Sequence, residues 1–264
     1  MNICKKMVTL AQMYCRDNYS FWIEKYQSER TGNDYPYTYT DEDYNMFPRY
    51  LVLAAISKEI DMLVGQKRKS FSNCKYELLA AADYSDDEPN EKCQVTKEDE
   101  KRKYREFILS FDENGLANTT VKQLGFRRKL GKNESEKIRK KLAEKWNYDG
   151  SWYPIGGNPH EEALYLMEKY ITPFEKEIND IIRSISLSRY YTIDEFGDDY
   201  KRSVADFTIP SYKYVGSETL CCDDTFDWII YVSHESTISF GGDRLISQIK
   251  GLLKDYESRF DVWE

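Results

Sequence analysis

A chain of 264 residues with a net charge of −8 is long enough to bury one large core or two ordinary ones, so its stability needs neither metal nor disulfides. The acidic balance argues against a nucleic-acid binder, which must neutralise phosphates with a basic surface, and fits a basic protein partner. Six cysteines without a CxxC pair, beside two histidines, show no zinc spacing, so reduced thiols and no cofactor are expected.

The first residues, MNICKKMVTLAQMY, place two lysines before a short apolar run, but Thr9 and Gln12 interrupt it and no small-residue cleavage site follows. They read as a helix rather than a signal peptide. No apolar run approaches the about 20 residues that span a bilayer, so a soluble, cytoplasmic protein without a membrane partner is expected. Ile3, Met7, Leu10 and Tyr14 recur at helical spacing, and Phe21, Trp22 and Tyr26 carry the pattern to about Arg30. The stretch TGNDYPYTYTDEDYNMF then sets tyrosines among acids and prolines, which predicts a loop. Pro48 suits the first turn of the next helix, with Val52, Ile56, Ile60 and Leu63 on one face. Phe71, Cys74, Leu78 and Ala82 predict a third. The acidic stretch 83–95 contains Pro89 and reads as a linker, and Thr96 with Asp99 resembles a capping box ahead of Tyr104, Phe107, Ile108 and Phe111.

Residues 122–145 change character: ten lysines and arginines stand against Glu134, Glu136 and Glu144. Two readings are open, a solvated helix face with Ile138, Leu142 and Trp146 turned inward, or a patch for nucleic acid or an acidic partner. The run has no interleaved stacking aromatics, which disfavours single-stranded nucleic acid. GSWYPIGG at 150–157 reads as a turn-rich hinge. After it, Asn158 and Pro159 start a predicted long helix, kinked at Pro173, whose stripe is Leu164, Met167, Ile171, Phe174, Ile178, Ile181, Ile182 and Ile185.

Strands are predicted at Arg189 to Phe196 and Val204 to Ile209, with Pro210 as the stop. Phe226 to Val232 is apolar on both faces, as a central strand is. Thr237 to Phe240 alternates as its hairpin partner, with His234, Glu235 and Ser236 in the turn and Gly241 and Gly242 ending the strand. Asp243 is placed to cap a last helix with Leu245, Ile246, Ile249, Leu252, Leu253 and Tyr256 on one stripe. The predicted fold is therefore α+β: a helical region at 1–148, then at 149–264 an antiparallel sheet of about four strands packed with helices.

No GxSxG, Walker loop, GxGxxG or HExxH motif is present, so no catalytic set is assigned. His160 and His234 are each followed by glutamate, which leaves open an acid–base or metal site of His234, Glu235 and His160; each histidine also has a structural account in a turn or helix start. Cys221 and Cys222 read as loop residues. Tyrosine is abundant, 22 of 264, and tyrosine supplies contact area at low entropic cost. The candidate binding surface is Tyr35, Tyr37, Tyr39, Asp41, Glu42, Asp43 and Tyr44.

Three motifs carry a resemblance: YNMFPRYLVLAAI from Tyr44 to Ile56, GSWYPI from Gly150 to Ile155, and DWIIYVSHESTISFGG from Asp227 to Gly242. Together they resemble a family of uncharacterised bacterial proteins found beside toxin and mobile-element genes, some of them similar to polymorphic-toxin immunity proteins. The resemblance spans most of the chain, brings no catalytic residues with it, and implies a non-catalytic binding role. The expectation is a cytoplasmic protein of immunity or antitoxin type masking a basic toxin, with a metal-assisted hydrolase or nuclease at His234 and Glu235 as the alternative.

Overall fold

The computed structural model describes residues 2–30, 38–67, 70–83, 90–156, 159 and 162–263. The chain divides into two compact units, Met1–Leu124 and Gly125–Glu264. The composition-based junction at 148/149 falls inside the second of these, because the basic segment contributes a strand and a helix to the sheet unit rather than closing the helical one.

The first unit, over its described residues, is made of α1 (Ile3–Glu29), α2 (Asp41–Met62), α3 (Phe71–Ala80), α4 (Glu91–Leu109) and α5 (Glu113–Asn118). Met7, Val8, Ala11 and Cys15 of α1 meet Val52, Leu53, Ile56 and Ile60 of α2, and Cys74, Leu78, Tyr104 and Ile108 close the core. The Tyr104 hydroxyl donates to the Leu78 carbonyl at 2.9 Å, so the buried ring brings no unpaired polar group with it.

Two helices begin earlier than the sequence pattern suggests. For α2 the start is a capping box, Thr40 and Asp43 each bonding the other's backbone N–H, and Pro48 sits inside the helix instead of opening it. Asn90 caps α4 by accepting from the N–H groups of Lys92 and Cys93, so Thr96 is buried within that helix and residues 91–95 are not linker.

In the second unit β1 (Arg127–Lys129), β2 (Ala163–Met167), β3 (Arg189–Asp194), β4 (Tyr200–Ser203), β5 (Thr219–Asp223), β6 (Ile229–Val232) and β7 (Thr237–Gly241) form one antiparallel sheet in the order β1-β4-β3-β5-β6-β7-β2. The sheet thus has seven strands rather than about four. Three of the additions were hidden for different reasons. β1 is three residues long within a charge run. β2 lies in the stretch expected to open a long helix: its residues pair with β7, Leu164 opposite Phe240 and Leu166 opposite Ile238, and that pairing overrides the helical spacing. The helix resumes only as the short α7 (Glu168–Ile171), a 3-10 turn holding Pro173, and α8 (Glu175–Ile185).

The third addition, β5, contains Cys221 and Cys222, so these are core strand residues and not loop. They point to opposite faces, both thiols are free and buried, and desolvation pushes Cys221 up to about 12 and Cys222 well above its ordinary value. The strand expected at 204–209 is instead a 3-10 turn, Val204–Asp206, following β4, and the short α9 (Tyr212–Val215) comes between that turn and β5.

Helices cover both faces. Cys221, Ile230, Phe240 and Leu164 pack under Ile178 and Ile182 of α8 and under Leu245 and Ile249 of α10 (Asp243–Leu252). On the opposite face Tyr191, Leu220, Cys222, Ile229 and Tyr231 meet Ile138, Leu142 and Trp146 of α6 (Lys132–Trp146), joined by Trp152. Segment 150–156 is therefore no hinge: the Trp152 indole is buried and donates to the Trp146 carbonyl at 2.8 Å. Asp243 is the first residue of α10 and not its cap, a role held by Gly242 at φ +100°. Among the described residues no helix is long and apolar enough to cross a membrane.

Gly241 is the tightest point of this packing. A Cβ there would lie 2.6 Å from Ile229 Cγ2 and 2.8 Å from the rings of Trp146 and Trp152. Gly241→Ala is expected to destabilise the unit by about 1–3 kcal/mol through overpacking. Urea unfolding followed by tryptophan fluorescence checks this, and an unchanged midpoint would show that the two indoles yield freely.

Candidate functional site

The predicted binding stretch forms the start of α2. Tyr35 and Tyr37 lie outside the described residues; Tyr39 is 49% exposed and its ring lies 5.8 Å from that of Tyr44 and 5.2 Å from that of Phe47. Asp41, Glu42 and Asp43 occupy the first helical turn, where carboxylates are favoured by the unpaired N–H groups of the helix end. Their availability differs. Asp43 is buried and accepts from the Thr40 N–H at 2.7 Å and the Thr40 hydroxyl at 3.0 Å, so it shapes the helix start and presents no free charge. Asp41 is exposed and bonds Lys92, and Glu42 is exposed.

Between the starts of α2 and α4 runs an open groove of about 390 Å³ lined by Asp41, Tyr44, Asn45, Lys92, Val95 and Thr96. Val95 on its rim is 66% exposed. Behind it, Arg49 is buried, reaching Asp99 at 2.6 Å and Glu100 at 3.0 Å, with the Trp22 ring centroid 4.9 Å away. The Arg49 hydrogen bond, with help from Lys103, holds the Asp99 carboxyl well below the usual carboxylate range.

The second candidate lies at the β6–β7 hairpin of the other unit. His234 Nδ1 bonds the Glu218 carboxylate, which also accepts from the Tyr231 hydroxyl and from the His234 N–H at 3.3 Å. His234 Nε2 lies 3.2 Å from Glu235. Sequence reasoning missed Glu218. It adjoins β5, whose pairing with β6 sets Thr219 opposite Val232 and so carries Glu218 toward the hairpin tip; with β5 unrecognised, nothing pointed to it. The Glu218 side chain is 8% exposed and the His234 side chain 51%, a buried carboxylate gripping one nitrogen of an outward imidazole.

That arrangement fixes the ring and can hold a proton between two carboxylates. The hydroxyl of the adjacent Ser233 is engaged with that of Thr237 at 2.8 Å. His160 lies outside the described residues. Among the described residues no group of three or more His, Cys, Asp or Glu side chains is placed to hold a metal ion.

Four cations of the basic segment meet carboxylates of their own unit. Arg128 pairs with Glu134, Lys129 with Asp198, Arg139 with Asp199 and Lys145 with Asp227, all at 2.6–2.8 Å. Ile138, Leu142 and Trp146 turn inward, as the solvated-face reading expects.

No family model matches the chain, and no curated protein or solved structure gives a significant match.

Hydrogen bonding to Glu218, reinforced by the charges of Glu218, Glu235 and Glu195, raises the His234 pKa above its ordinary value. A raised folded-state value means the interaction stabilises the fold at pH below the unfolded value of about 6.5 and is lost as pH rises through the folded value. Titration of the imidazole by proton NMR is expected to give a midpoint above about 6.5 that falls back in Glu218→Gln. A midpoint indifferent to that substitution would remove Glu218 as the cause.

Proposed function

We propose that the chain is a non-catalytic binding protein of immunity or antitoxin type, acting in the cytoplasm, whose N-terminal unit masks a basic effector such as a nuclease. The observation that carries this reading is the groove at the start of α2 and α4. Asp41 and Val95 of its lining are exposed, and Tyr39 and Glu42, neighbours of Asp41 in sequence at the same helix start, add an exposed aromatic ring and a second exposed carboxylate. Aromatic side chains at a desolvated centre provide affinity, and surrounding charge steers a partner of opposite sign and sets its orientation. The chain's net charge of −8 acts in the same direction.

The test is a pull-down from the host lysate at low and high salt with three baits: the wild-type chain, Glu42→Lys and Tyr39→Ala. Wild type is expected to retain one basic protein, less of it at high salt, with retention falling about tenfold or more in Tyr39→Ala and clearly in Glu42→Lys. Equal retention by all three baits, or no basic protein at low salt, would sink the reading.

One observation favours a second reading, a metal-assisted hydrolase or nuclease using His234 and Glu235 with His160. A carboxylate on Nδ1 is how proteins orient a histidine whose Nε2 serves as a ligand, and Glu218 does this for His234. Stoichiometric divalent metal in the purified protein, lost in His234→Ala, is expected on this reading; metal content unaffected by the substitution rejects it.

A further inference from the structure

The sheet face covered by α8 and α10 is not covered along its whole width. Register puts Tyr190 of β3 opposite Arg202 of β4, Thr192 opposite Tyr200 and also opposite Cys221 of β5, and Asp194 opposite Thr219, so all seven side chains share that face. Beside the two helices, Thr208, Ile209, Pro210, Ser211 and Val215 line, with these strands, a half-open cavity of about 380 Å³. Its size is that of a small-molecule site. The floor is polar and the opposite wall, formed by Ile209, Pro210 and Val215, is apolar.

We propose that this cavity binds a small organic oxyanion, a carboxylate or a phosphate monoester on a compact apolar body, with the Arg202 guanidinium as its anchor. Arg202 is engaged along one edge of its guanidinium. Its Nε donates to the Thr192 hydroxyl at 3.2 Å and its guanidinium lies 5.1 Å from the Tyr200 ring centroid. Among the described residues the two terminal nitrogens have no hydrogen-bond partner and no carboxylate lies within ion-pair distance of them. A guanidinium carries five N–H donors in a planar fork. Here one edge is tied to Thr192, so the plane is fixed while the outer donors remain open to a bidentate acceptor.

The carboxylates lining the same cavity are already occupied. Asp194 accepts from the Ser217 hydroxyl and from the Phe196 N–H at 2.8 Å. Asp198 pairs with Lys129 at 2.8 Å. Neither lies within ion-pair distance of Arg202, and Arg127 stands opposite it on β1 with its guanidinium 4.9 Å from the same Tyr200 ring.

Three hydroxyls complete the lining: those of Tyr190, Thr208 and Ser211 make no hydrogen bond among the described residues. Burial raises the Tyr190 pKa, so its phenol stays protonated and able to donate. Because Tyr190 is the cross-strand neighbour of Arg202, the two can address one oxyanion from adjacent strands of a rigid sheet. The apolar body of the ligand would lie against Ile209, Pro210 and Val215, and the buried Cys221 closes the floor.

The test is calorimetric titration of the full-length protein with benzoate and with phenyl phosphate, with benzyl alcohol as the neutral probe of similar size. One of the anions is expected to bind saturably and at least about tenfold tighter than benzyl alcohol, and the preferred one identifies carboxylate or phosphate as the natural head group. Arg202→Met should weaken that anion about tenfold or more, because it removes charge-assisted hydrogen bonds. Arg202→Lys, which keeps the charge but loses the fork, should fall between. Val215→Trp, which fills the cavity from the opposite wall and leaves the floor intact, should abolish binding with the far-UV circular dichroism unchanged. This last variant decides the matter if substitution of Arg202 impairs folding. Failure of both anions to saturate at millimolar concentration, binding of benzyl alcohol as tight as that of the anions, or unweakened binding in Val215→Trp would each overturn the proposal.

Discussion

The C-terminal unit depends on two indole rings reaching a strand at a residue that has no side chain. Trp146 and Trp152 stand edge to face, 5.8 Å between centroids, directly over Gly241 of β7. Their two N–H groups are satisfied in sequence, Trp152 donating to the Trp146 carbonyl and Trp146 to the Phe226 carbonyl at 3.0 Å. Those bonds let the rings be fully buried without an unpaired donor. They also tie the end of α6, the turn after it and the start of β6 to one another. With α6 held on this face, α8 and α10 take the other, and β5 and β6 lie dry between them. The tightness at Gly241 follows from geometry: indoles this close to the backbone leave no volume for a methyl group.

The helical unit solves a different problem. Its core is apolar between α1, α2 and α3, yet α4 brings Glu100 and Lys101 into the interior and α2 brings Arg49 and Asp61. A buried ion pair is a weak source of net stability, because desolvation offsets the attraction, but losing one member leaves a charge stranded. Arg49 avoids this by engaging Asp99 and Glu100 together while stacking on Trp22. The arrangement fixes the register of α2 on α4. It therefore also fixes the groove between their N-terminal ends, where Asp41 bonds Lys92.

What the sequence disclosed depended on whether the signal was local. The stripe Ile138, Leu142 and Trp146 marked α6 correctly, and the two-faced run ending at Val232 marked β6 as central, because one element's own periodicity carries that information. The hairpin of β6 and β7 was equally legible. The strand containing Cys221 and Cys222 was not, since acidic residues follow it and its apolar run is only three residues long. The stretch that forms β2 reads as helix because Leu164, Met167 and Ile171 fall at helical spacing, and only pairing with β7 overrides that local pattern. The site followed the same rule. His234 and Glu235 were visible as neighbours in sequence, whereas Glu218, which orients the imidazole, reaches it through strand pairing. Asp43 was visible as an acid, but its capping role removes it from the surface that composition suggested.

The same distinction explains why net charge was a poor guide to particular sites. Read as composition, residues 122–145 are the cationic part of an acidic protein. Folded, Arg128, Lys129, Arg139 and Lys145 each meet a carboxylate, and for three of them it comes from a distant part of the chain: Asp198, Asp199 and Asp227. Asp199 shows how complete this can be, since its carboxylate also receives the Ser135 hydroxyl and the Asp194 N–H. Charges so consumed organise the fold and have little left with which to attract a ligand. Arg202, on the neighbouring strand β4 and unremarkable in composition, is held through Thr192 and Tyr200 by contacts that leave its charge uncompensated. The capacity of a charged residue to act on a ligand is thus set by whether the fold has already given it a counter-ion, a property of the packing that no count of residues contains.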